Sequence, residues 1–179
     1  QVEEARLWRA AGRASEVPAT ALGHMVHLAI ECWLFPSDAR LEPLLRGAAL
    51  SAGLVMPAQQ DAAIRQAVTL LARLRAHPLS AEIDNALERR HEVPYTLEER
   101  GRSDYGFIDI LYRTVEGWQV VDFKTDALRS QSDKESRIGA YSGQMRRYAA
   151  AASGLLQTRV RLRLCLLDDR GAITLIPFE

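Results

Sequence analysis

Residues 120–125 read Val120-Val121-Asp122-Phe123-Lys124-Thr125, and residues 106–109 read Gly106-Phe107-Ile108-Asp109. Both stretches are rich in β-branched and aromatic residues and flank the turn-like segment Thr114-Val115-Glu116-Gly117, so they predict a β-hairpin. Successive side chains of a strand point to opposite faces, so Asp122 and Lys124 lie on one face of the second strand.

The loop of this hairpin decides which side chains face each other. With Glu116-Gly117 as the loop, Asp109 lies opposite Lys124, and with Val115-Glu116 it lies opposite Asp122. Both registers place the two aspartates and the lysine on one face, where directly opposed Cβ atoms are about 4.5–5.5 Å apart. Two carboxylates at such a short distance repel each other and lose hydration, which favours a hard cation such as Mg²⁺ between them. The alternative is an edge hairpin whose acids are solvated.

The opposite face of the hairpin is apolar. On that face the alternation places Ile108, Ile110, Tyr112, Val121 and Phe123. Since apolar residues also flank the aspartates, we expect the sheet to be covered on both sides.

The rest of the chain reads as helices first and then as strands around one further helix. Helical periodicity predicts a helix with Thr20 as its N-cap ending before Pro36, then helices over about 39–50, 57–74 and 80–87. Strands are predicted at 91–97, 105–113, 118–124, 159–167 and 173–177, with an exposed loop over 128–137 that contains Lys134 and a helix over about 138–153. Because no linker interrupts this order, we expect one α/β domain over 1–179, helical over about 1–88 and carrying the sheet over about 89–179.

Composition excludes several classes of protein. A chain of 179 residues that is 47% hydrophobic is able to bury a core and is not disordered. The only cysteines, Cys32 and Cys165, exclude a disulfide framework, a zinc ribbon and a four-cysteine iron–sulfur cluster. There is no long apolar run and no leader, which favours a soluble cytoplasmic domain. Lys+Arg and Asp+Glu both number 23, yet the only lysines are Lys124 and Lys134, so each of these two is a candidate for a role that Arg does not fill.

Four motifs in chain order resemble one family, and one of the four consists of two strings on the predicted hairpin. The Gly106–Asp109 and Val120–Thr125 strings look like those of PD-(D/E)XK nucleases, and more narrowly like the RecB-like nuclease domain that ends AddA and related UvrD-like helicases. Three further strings fit that family's G-x-x-x-H, E-x-P-[FY] and Q-x-x-x-Y motifs: Gly23-His24-Met25-Val26-His27, Glu92-Val93-Pro94-Tyr95 and Gln144-Met145-Arg146-Arg147-Tyr148. Together the matches run from residue 23 to residue 148.

The resemblance implies an α/β restriction-endonuclease-like core: a central mixed sheet of about five strands flanked by helices, with a helical N-terminal half. It implies a Mg²⁺- or Mn²⁺-dependent, exonucleolytic DNA nuclease that forms the C-terminal part of a longer helicase-nuclease in double-strand-break repair and recombination. Its expected partners are a DNA single strand or unwound end and a helicase module in the same polypeptide or complex, with no membrane. AddB-type members of the family carry an iron–sulfur cluster, and the cysteines that would bind it are absent from this sequence, which favours the AddA-type branch. The sequence also has no Walker motif, so we expect this domain to bind no nucleotide.

The resemblance also implies a set of site residues. The metal ligands would be His27, Asp109, Asp122 and the backbone carbonyl of Phe123. Lys124 would assist by holding the attacking water or by stabilising charge that develops on the phosphate.

Two further residues are candidates near the metal. His24 lies three positions before His27 on the same helix, so the two side chains project to neighbouring positions. Only the alignment with the G-x-x-x-H motif of the family selects His27 as the ligand. His24 is then a supporting or DNA-facing candidate. Glu92 is either a water-mediated ligand or a cap on a strand face, and the second interpretation is slightly favoured.

The predicted late helix supplies the remaining candidates. In the family, Gln144 and Tyr148 pack beside the metal centre, and Tyr141 lies on the same side of the helix. For the tyrosines, ordinary core packing is nearly as good an explanation as DNA contact. Arg146 and Arg147 are candidates for phosphate contacts, although solvated surface arginines would look the same in sequence.

Two other functions remain open at this point. A nuclease-like domain that binds DNA or a partner without cutting would carry the same motifs. An unrelated α/β domain would match them by coincidence.

Overall fold

The computed structural model describes residues 17–99 and 102–178. It contains helices α1 (Ala19–Glu31), α2 (Leu41–Ser51), α3 (Pro57–Ala76) and α4 (Pro78–Asp84), followed by strands β1 (Glu88–Glu99), β2 (Arg102–Thr114) and β3 (Gly117–Leu128). Helix α5 (Gln131–Leu156) and strands β4 (Arg161–Asp169) and β5 (Ala172–Phe178) complete the order. Among the described helices none is both long and apolar enough to cross a membrane.

The five strands form one mixed sheet in the order β1-β2-β3-β4-β5. Only β3 and β4 are parallel, and α5 makes the crossover between them. Helices α1–α4 cover one face with a large apolar core, while α5 covers the other face with a second core. Val121 and Phe123 point into the first core and Val120 into the second, so β3 is buried on both sides. The predicted α/β architecture is confirmed.

The hairpin between β2 and β3 takes the second of the two predicted registers. Thr114 pairs with Gly117, so the loop is Val115-Glu116. Gly117 has a φ of 115°, a left-handed conformation that glycine adopts without steric cost. The alternative loop, Glu116-Gly117, is wrong.

Ile108 does not lie where strand alternation places it. It packs in the α5-side core, whereas Ile110 and Tyr112 pack in the core under α1–α4. The alternation breaks between Ile110 and Ile108: the β1–β2 ladder pairs His91 with Ile110 and Val93 with Ile108 but skips Glu92, which has a φ of 47° and stands opposite Asp109. The ladder between β2 and β3 ends one residue short of Asp109, so the strict alternation breaks at this aspartate.

The segment predicted as an exposed loop over 128–137 is mostly helical. Strand β3 continues to Leu128 and α5 begins at Gln131, seven residues earlier than predicted. A capping box explains the early start: the Ser130 hydroxyl accepts from the Asp133 backbone N–H, and the Asp133 carboxylate accepts from the Ser130 backbone N–H. Lys134 is therefore helical and mostly buried, with Nζ 2.7 Å from Oδ2 of Asp169.

Two helix starts in the first half also differ from the prediction. Helix α1 begins at Ala19 with Pro18 at its N-cap, so Thr20 is not the cap. Helix α4 begins at Pro78, where the His77 ring accepts a hydrogen bond from the backbone N–H of Leu79. In α4 the proline at the first helical position needs no hydrogen-bond partner for its nitrogen, which makes it a good helix start.

Candidate active site

Four elements converge where the ladder between β2 and β3 ends. Helix α1 contributes His27, β1 contributes Glu92, and β2 contributes Asp109. Strand β3 contributes Asp122 and Lys124. Residues that are far apart in sequence therefore meet because the helical layer and three neighbouring strands share one end of the sheet.

His27, Glu92 and Asp109 form a group of possible metal ligands. Each offers one ligand atom, and these three atoms all lie within 4.8 Å of one another. The His27 Nδ1 lies 3.4 Å from Oδ1 of Asp109. One imidazole and two carboxylates suit Mn²⁺, and the carboxylates also suit Mg²⁺.

Asp109 points into the gap that the ending ladder leaves between the two strands. Its Oδ2 accepts a hydrogen bond of 2.7 Å from the backbone N–H of Phe123. The carboxylate thus replaces the strand partner that this buried amide would otherwise lack. The ligand role expected for the Phe123 carbonyl stays a prediction.

Asp122 is fully buried and bound to Lys124. The lysine Nζ lies 3.0 Å from Oδ1 and 2.8 Å from Oδ2 of Asp122, but only the Oδ1 contact has the angle of a hydrogen bond. Oδ2 is consequently a buried oxygen with no hydrogen-bond partner. This oxygen faces the Lys124 ammonium at 2.8 Å without a well-directed hydrogen bond, so its lone pairs remain available to a divalent cation. The residues present therefore fit a metal ion.

The charges of the site shift one another's proton affinities. Burial lowers the pKa of His27, but the hydrogen bond and negative charge of Asp109 outweigh it, so the pKa is raised overall. Burial, followed by the charge of Asp109, raises the pKa of Asp122 above the ordinary carboxyl range, and the same two causes raise the pKa of Glu92. Crowded acids with raised pKa values are typical of a site that awaits a cation.

Helix α5 covers the face of the sheet on which Asp122 and Lys124 lie, opposite to α1. Gln144 donates a 2.7 Å hydrogen bond to the hydroxyl of Tyr148. Tyr148 is buried and packs edge-on against Tyr95, with ring centroids 5.6 Å apart. The Tyr95 ring in turn covers Gly106, where a Cβ would lie 2.9 Å from the phenol oxygen. The Q-x-x-x-Y and E-x-P-Y motifs thus meet through their tyrosines.

Three other predicted residues lie at the surface. His24 is exposed on α1, one turn before His27. Arg147 is exposed on α5 and forms an ion pair with Asp104, with Nε 2.7 Å from Oδ2. Arg146 is exposed as well.

Sequence reasoning missed one residue near the site. Asp126, two positions beyond Lys124 on β3, accepts a hydrogen bond from the hydroxyl of Tyr141 and was not among the candidates. Its position two residues along the strand from the lysine was the signal that pointed to it. Glu92 lies among the three possible metal ligands, and both interpretations given for it, a water-mediated ligand and a cap on a strand face, stay predictions.

Comparisons with known proteins agree with the motifs. The chain is 28% identical over 116 residues to an ATP-dependent helicase/nuclease subunit from Heliobacterium modesticaldum, covering 55% of this chain and 8% of that protein. It is 31% identical over 106 residues to the helicase/nuclease subunit of the same name from Carboxydothermus hydrogenoformans, covering 52% of this chain and 9% of that protein. The chain therefore spans less than a tenth of the length of these curated relatives.

Among solved structures, the protein VC1899 from Vibrio cholerae aligns with a TM-score of 0.33 at 12% identity, covering 83% of this chain and 42% of that one. This likeness is too low to bear on the fold. The family model of the PD-(D/E)XK nuclease superfamily, in contrast, matches residues 2–174, nearly the whole chain. The protein belongs to the PD-(D/E)XK nuclease superfamily.

Proposed function

We propose that this domain is a Mg²⁺- or Mn²⁺-dependent deoxyribonuclease that hydrolyses phosphodiester bonds. One observation carries the proposal. The buried Asp122–Lys124 pair, in which Oδ2 accepts no well-directed hydrogen bond, lies at the same end of the sheet as the His27–Glu92–Asp109 ligand group. An acidic pocket for a cation beside a mostly buried ammonium is the arrangement that phosphoryl chemistry needs.

In this proposal His27, Asp109 and Asp122 hold the cation, with the Phe123 carbonyl as a further ligand, and Glu92 joins them directly or through water. When bound, the cation supplies Lewis-acid polarisation of the scissile phosphodiester and lowers the pKa of the attacking water.

Lys124 supplies the positive charge that the protein itself contributes to the reaction. Its side chain is 14% exposed, so the ammonium is mostly withdrawn from solvent yet reachable by a substrate. A compact ammonium donates hydrogen bonds to a phosphate oxygen or to the attacking water, and it stabilises the negative charge that builds up as the bond breaks. Gln144 and Tyr148 keep β1 and β2 in place beside it through the contact with Tyr95.

The substrate in this proposal is a DNA strand that a helicase delivers. The resemblance to the two curated relatives, which are named as helicase/nucleases, supports this link. The helicase module would lie in the same polypeptide or complex, and the cut would be exonucleolytic and serve double-strand-break repair and recombination in the cytoplasm. With equal numbers of basic and acidic residues, the DNA path must be a local group of arginines such as Arg147.

The test is a cleavage assay with end-labelled linear single- and double-stranded DNA in Mg²⁺ or Mn²⁺. We expect Asp122→Ala and Lys124→Ala each to lower the cleavage rate at least about a hundredfold, because each removes charge stabilisation from the reaction. Asp38 and Arg40 provide a matched control. They are also an acid and a base two residues apart and ion-paired at 2.7 Å, but at the surface and outside the site.

We expect Asp38→Ala and Arg40→Ala to cleave like the wild type. Equal trace degradation by the wild type and by Asp122→Ala would contradict the proposal. In that case a shift of DNA in a gel would favour a domain that binds without cutting. Exonucleolytic cutting predicts release of mononucleotides or short fragments from an end and resistance of circular DNA.

A further inference from the structure

The ammonium of Lys124 is held from two sides. On one side lies the carboxylate of Asp122, at 2.8 and 3.0 Å from Nζ. On the other side Nζ lies 4.7 Å from the centroid of the Tyr141 ring. The face of an aromatic ring carries negative electrostatic potential, so it attracts a cation at this distance.

Tyr141 is itself held in place. Its hydroxyl donates a hydrogen bond to Oδ2 of Asp126, and Nε of Arg137 lies 3.3 Å from the other oxygen of that carboxylate. Asp126 belongs to β3, whereas Tyr141 and Arg137 belong to α5. The ring is therefore tied at its far end to the strand that also carries Lys124.

The hydrogen bond keeps the ring neutral and correctly turned. Burial, and next the bond to Asp126, raise the pKa of the Tyr141 phenol, so it stays a donor throughout the pH range of a nuclease assay. The hydrogen bond to the carboxylate also polarises the phenol, which strengthens the negative potential of the ring face toward Lys124.

We propose that Tyr141 and Asp126 are positioning residues that hold the Lys124 ammonium beside Asp122, ready for the scissile phosphate. This inference rests on the proposed nuclease function. An ammonium held by Asp122 alone would be free to swing with its four-carbon stem. The ring limits that motion without taking up the hydrogen bonds that a substrate needs.

The position of Lys124 is measured directly by NMR of protein labelled with ¹³C at lysine Cε. The chain has only two lysines, so the spectrum holds two lysine Hε/Cε signals, and Lys134→Arg assigns them. A ring current shifts protons above a ring upfield, so we expect the Lys124 Hε signal upfield in the wild type and in Tyr141→Phe. In Tyr141→Leu it returns to the position of a solvated lysine, and in Asp126→Ala it moves part of the way.

Kinetics test whether this position matters for the reaction. We expect Tyr141→Leu to lower kcat about 3- to 30-fold, the size of a partly buried cation–π contact, with KM for DNA within about twofold of the wild type. Tyr141→Phe keeps the ring and loses only the hydrogen bond of the hydroxyl to Asp126, so we expect kcat to fall less than about threefold. Tyr112→Phe is the matched control, because Tyr112 donates to Glu82 at 2.8 Å and has Arg163 over its ring, but lies in the middle of the hairpin ladder and packs in the core under α1–α4.

Each outcome decides something. An unchanged Lys124 signal in Tyr141→Leu would overturn the inference, as would a kcat equal to that of the wild type. A loss of kcat in Tyr112→Phe as large as in Tyr141→Leu would show that the loss follows from disturbed packing in general, and it would overturn the inference as well. If the wild type cleaves nothing, the proposed function falls, while the NMR comparison still decides whether the ring holds the ammonium.

Discussion

Oδ2 of Asp109 accepts the backbone N–H of Phe123 at 2.7 Å, while Oδ1 of the same carboxylate lies 3.4 Å from the His27 ring. One side chain therefore closes the gap between two strands and contributes to the ligand group. The stability of the fold needs only a hydrogen-bond acceptor for the backbone N–H of Phe123, whereas a bound cation needs the negative charge of the carboxylate. Substitutions of Asp109 by Asn and by Ala therefore have different effects.

We expect Asp109→Asn to keep the free energy of unfolding within about 1 kcal/mol, because the amide oxygen still accepts from Phe123. Asp109→Ala leaves that buried N–H without a partner and costs about 1–3 kcal/mol. Urea unfolding measures both, and Mn²⁺ titration by calorimetry is expected to show no binding for either. An Asn variant as unstable as the Ala variant would mean that the carboxylate charge, not the acceptor, holds the strand.

The backbone of Glu92 predicts a trade between stability and ion binding. Its φ of 47° lies in the left-handed region, which glycine adopts more readily. We expect Glu92→Gly to raise the free energy of unfolding by about 0.5–1 kcal/mol. The same change removes a carboxylate from the ligand group, so the Kd for Mn²⁺ rises by about tenfold or more.

Gln157 is the control for this strain. It follows α5 with a φ of 50°, which is also positive, but it lies outside the ligand group. Gln157→Gly is expected to stabilise the fold by a similar amount and to leave the Kd for Mn²⁺ unchanged. If both glycines weaken Mn²⁺ binding equally, Glu92 acts through the fold and is not a ligand.

Gly106 tests the contact between the two tyrosine motifs. A Cβ at this position would lie 2.9–3.1 Å from the end of the Tyr95 ring, which is packed against Tyr148. We expect Gly106→Ala to cost about 1–3 kcal/mol in thermal or urea unfolding. Gly139→Ala, on α5 with open space around its Cα, should instead stabilise by about 0.5–1 kcal/mol.

The clash itself can be isolated. Combining Gly106→Ala with Tyr95→Ala should remove most of the extra cost, because the ring that the new methyl group meets is gone. Additive losses in this double-mutant cycle would show that Gly106 is needed for backbone conformation instead.

Lys134 and Asp169 give the fold a pH-dependent anchor between α5 and the end of β4. Lys134, aided by Thr174 and Arg170, lowers the pKa of Asp169 to about 2. This carboxylate therefore stabilises the folded state above its unfolded pKa of about 3.9, and the contribution is lost as the pH falls towards 2.

We expect Lys134→Met to lower the free energy of unfolding by about 1–3 kcal/mol at pH 7, and the difference from the wild type to shrink between about pH 4 and pH 2. Arg161→Met is the control, since Arg161 and Glu116 pair at 61% and 66% side-chain exposure and contribute about 0.5 kcal/mol or less. A Lys134→Met deficit that persists unchanged at pH 2 would contradict the role given to Asp169.

Much of the fold could be predicted because hydrophobic periodicity is local. The order of helices and strands and the shared face of Asp122 and Lys124 needed only the spacing of side chains along one element. The 128–137 segment was misjudged because its charged composition outweighed the Ser130–Asp133 capping signal. Charge alone does not separate a loop from the exposed first turns of a helix.

The finer geometry of the site depends on contacts that no single segment contains. The position of Ile108 depends on the neighbouring strand β1, where Glu92 has a positive φ. The ligand atoms of Glu92 and His27 lie close together although these residues belong to a strand and a helix that are far apart in sequence. Asp126 is placed by a tyrosine on a helix fifteen residues later. Motif strings identify which residues meet, whereas the irregular backbone between them decides how they meet.

The two lysines also determine how this protein reacts with reagents that modify amines. Both ammonium groups are mostly buried and bound to aspartates, at 14% and 17% side-chain exposure, and the sequence contains no other lysine. A reagent that acylates amines therefore finds no freely solvated lysine side chain anywhere in these 179 residues. The rate at which Lys124 is acylated would therefore measure how often its ammonium separates from Asp122. Every strongly basic side chain of the sequence other than the two lysines is an arginine, which such a reagent does not attack.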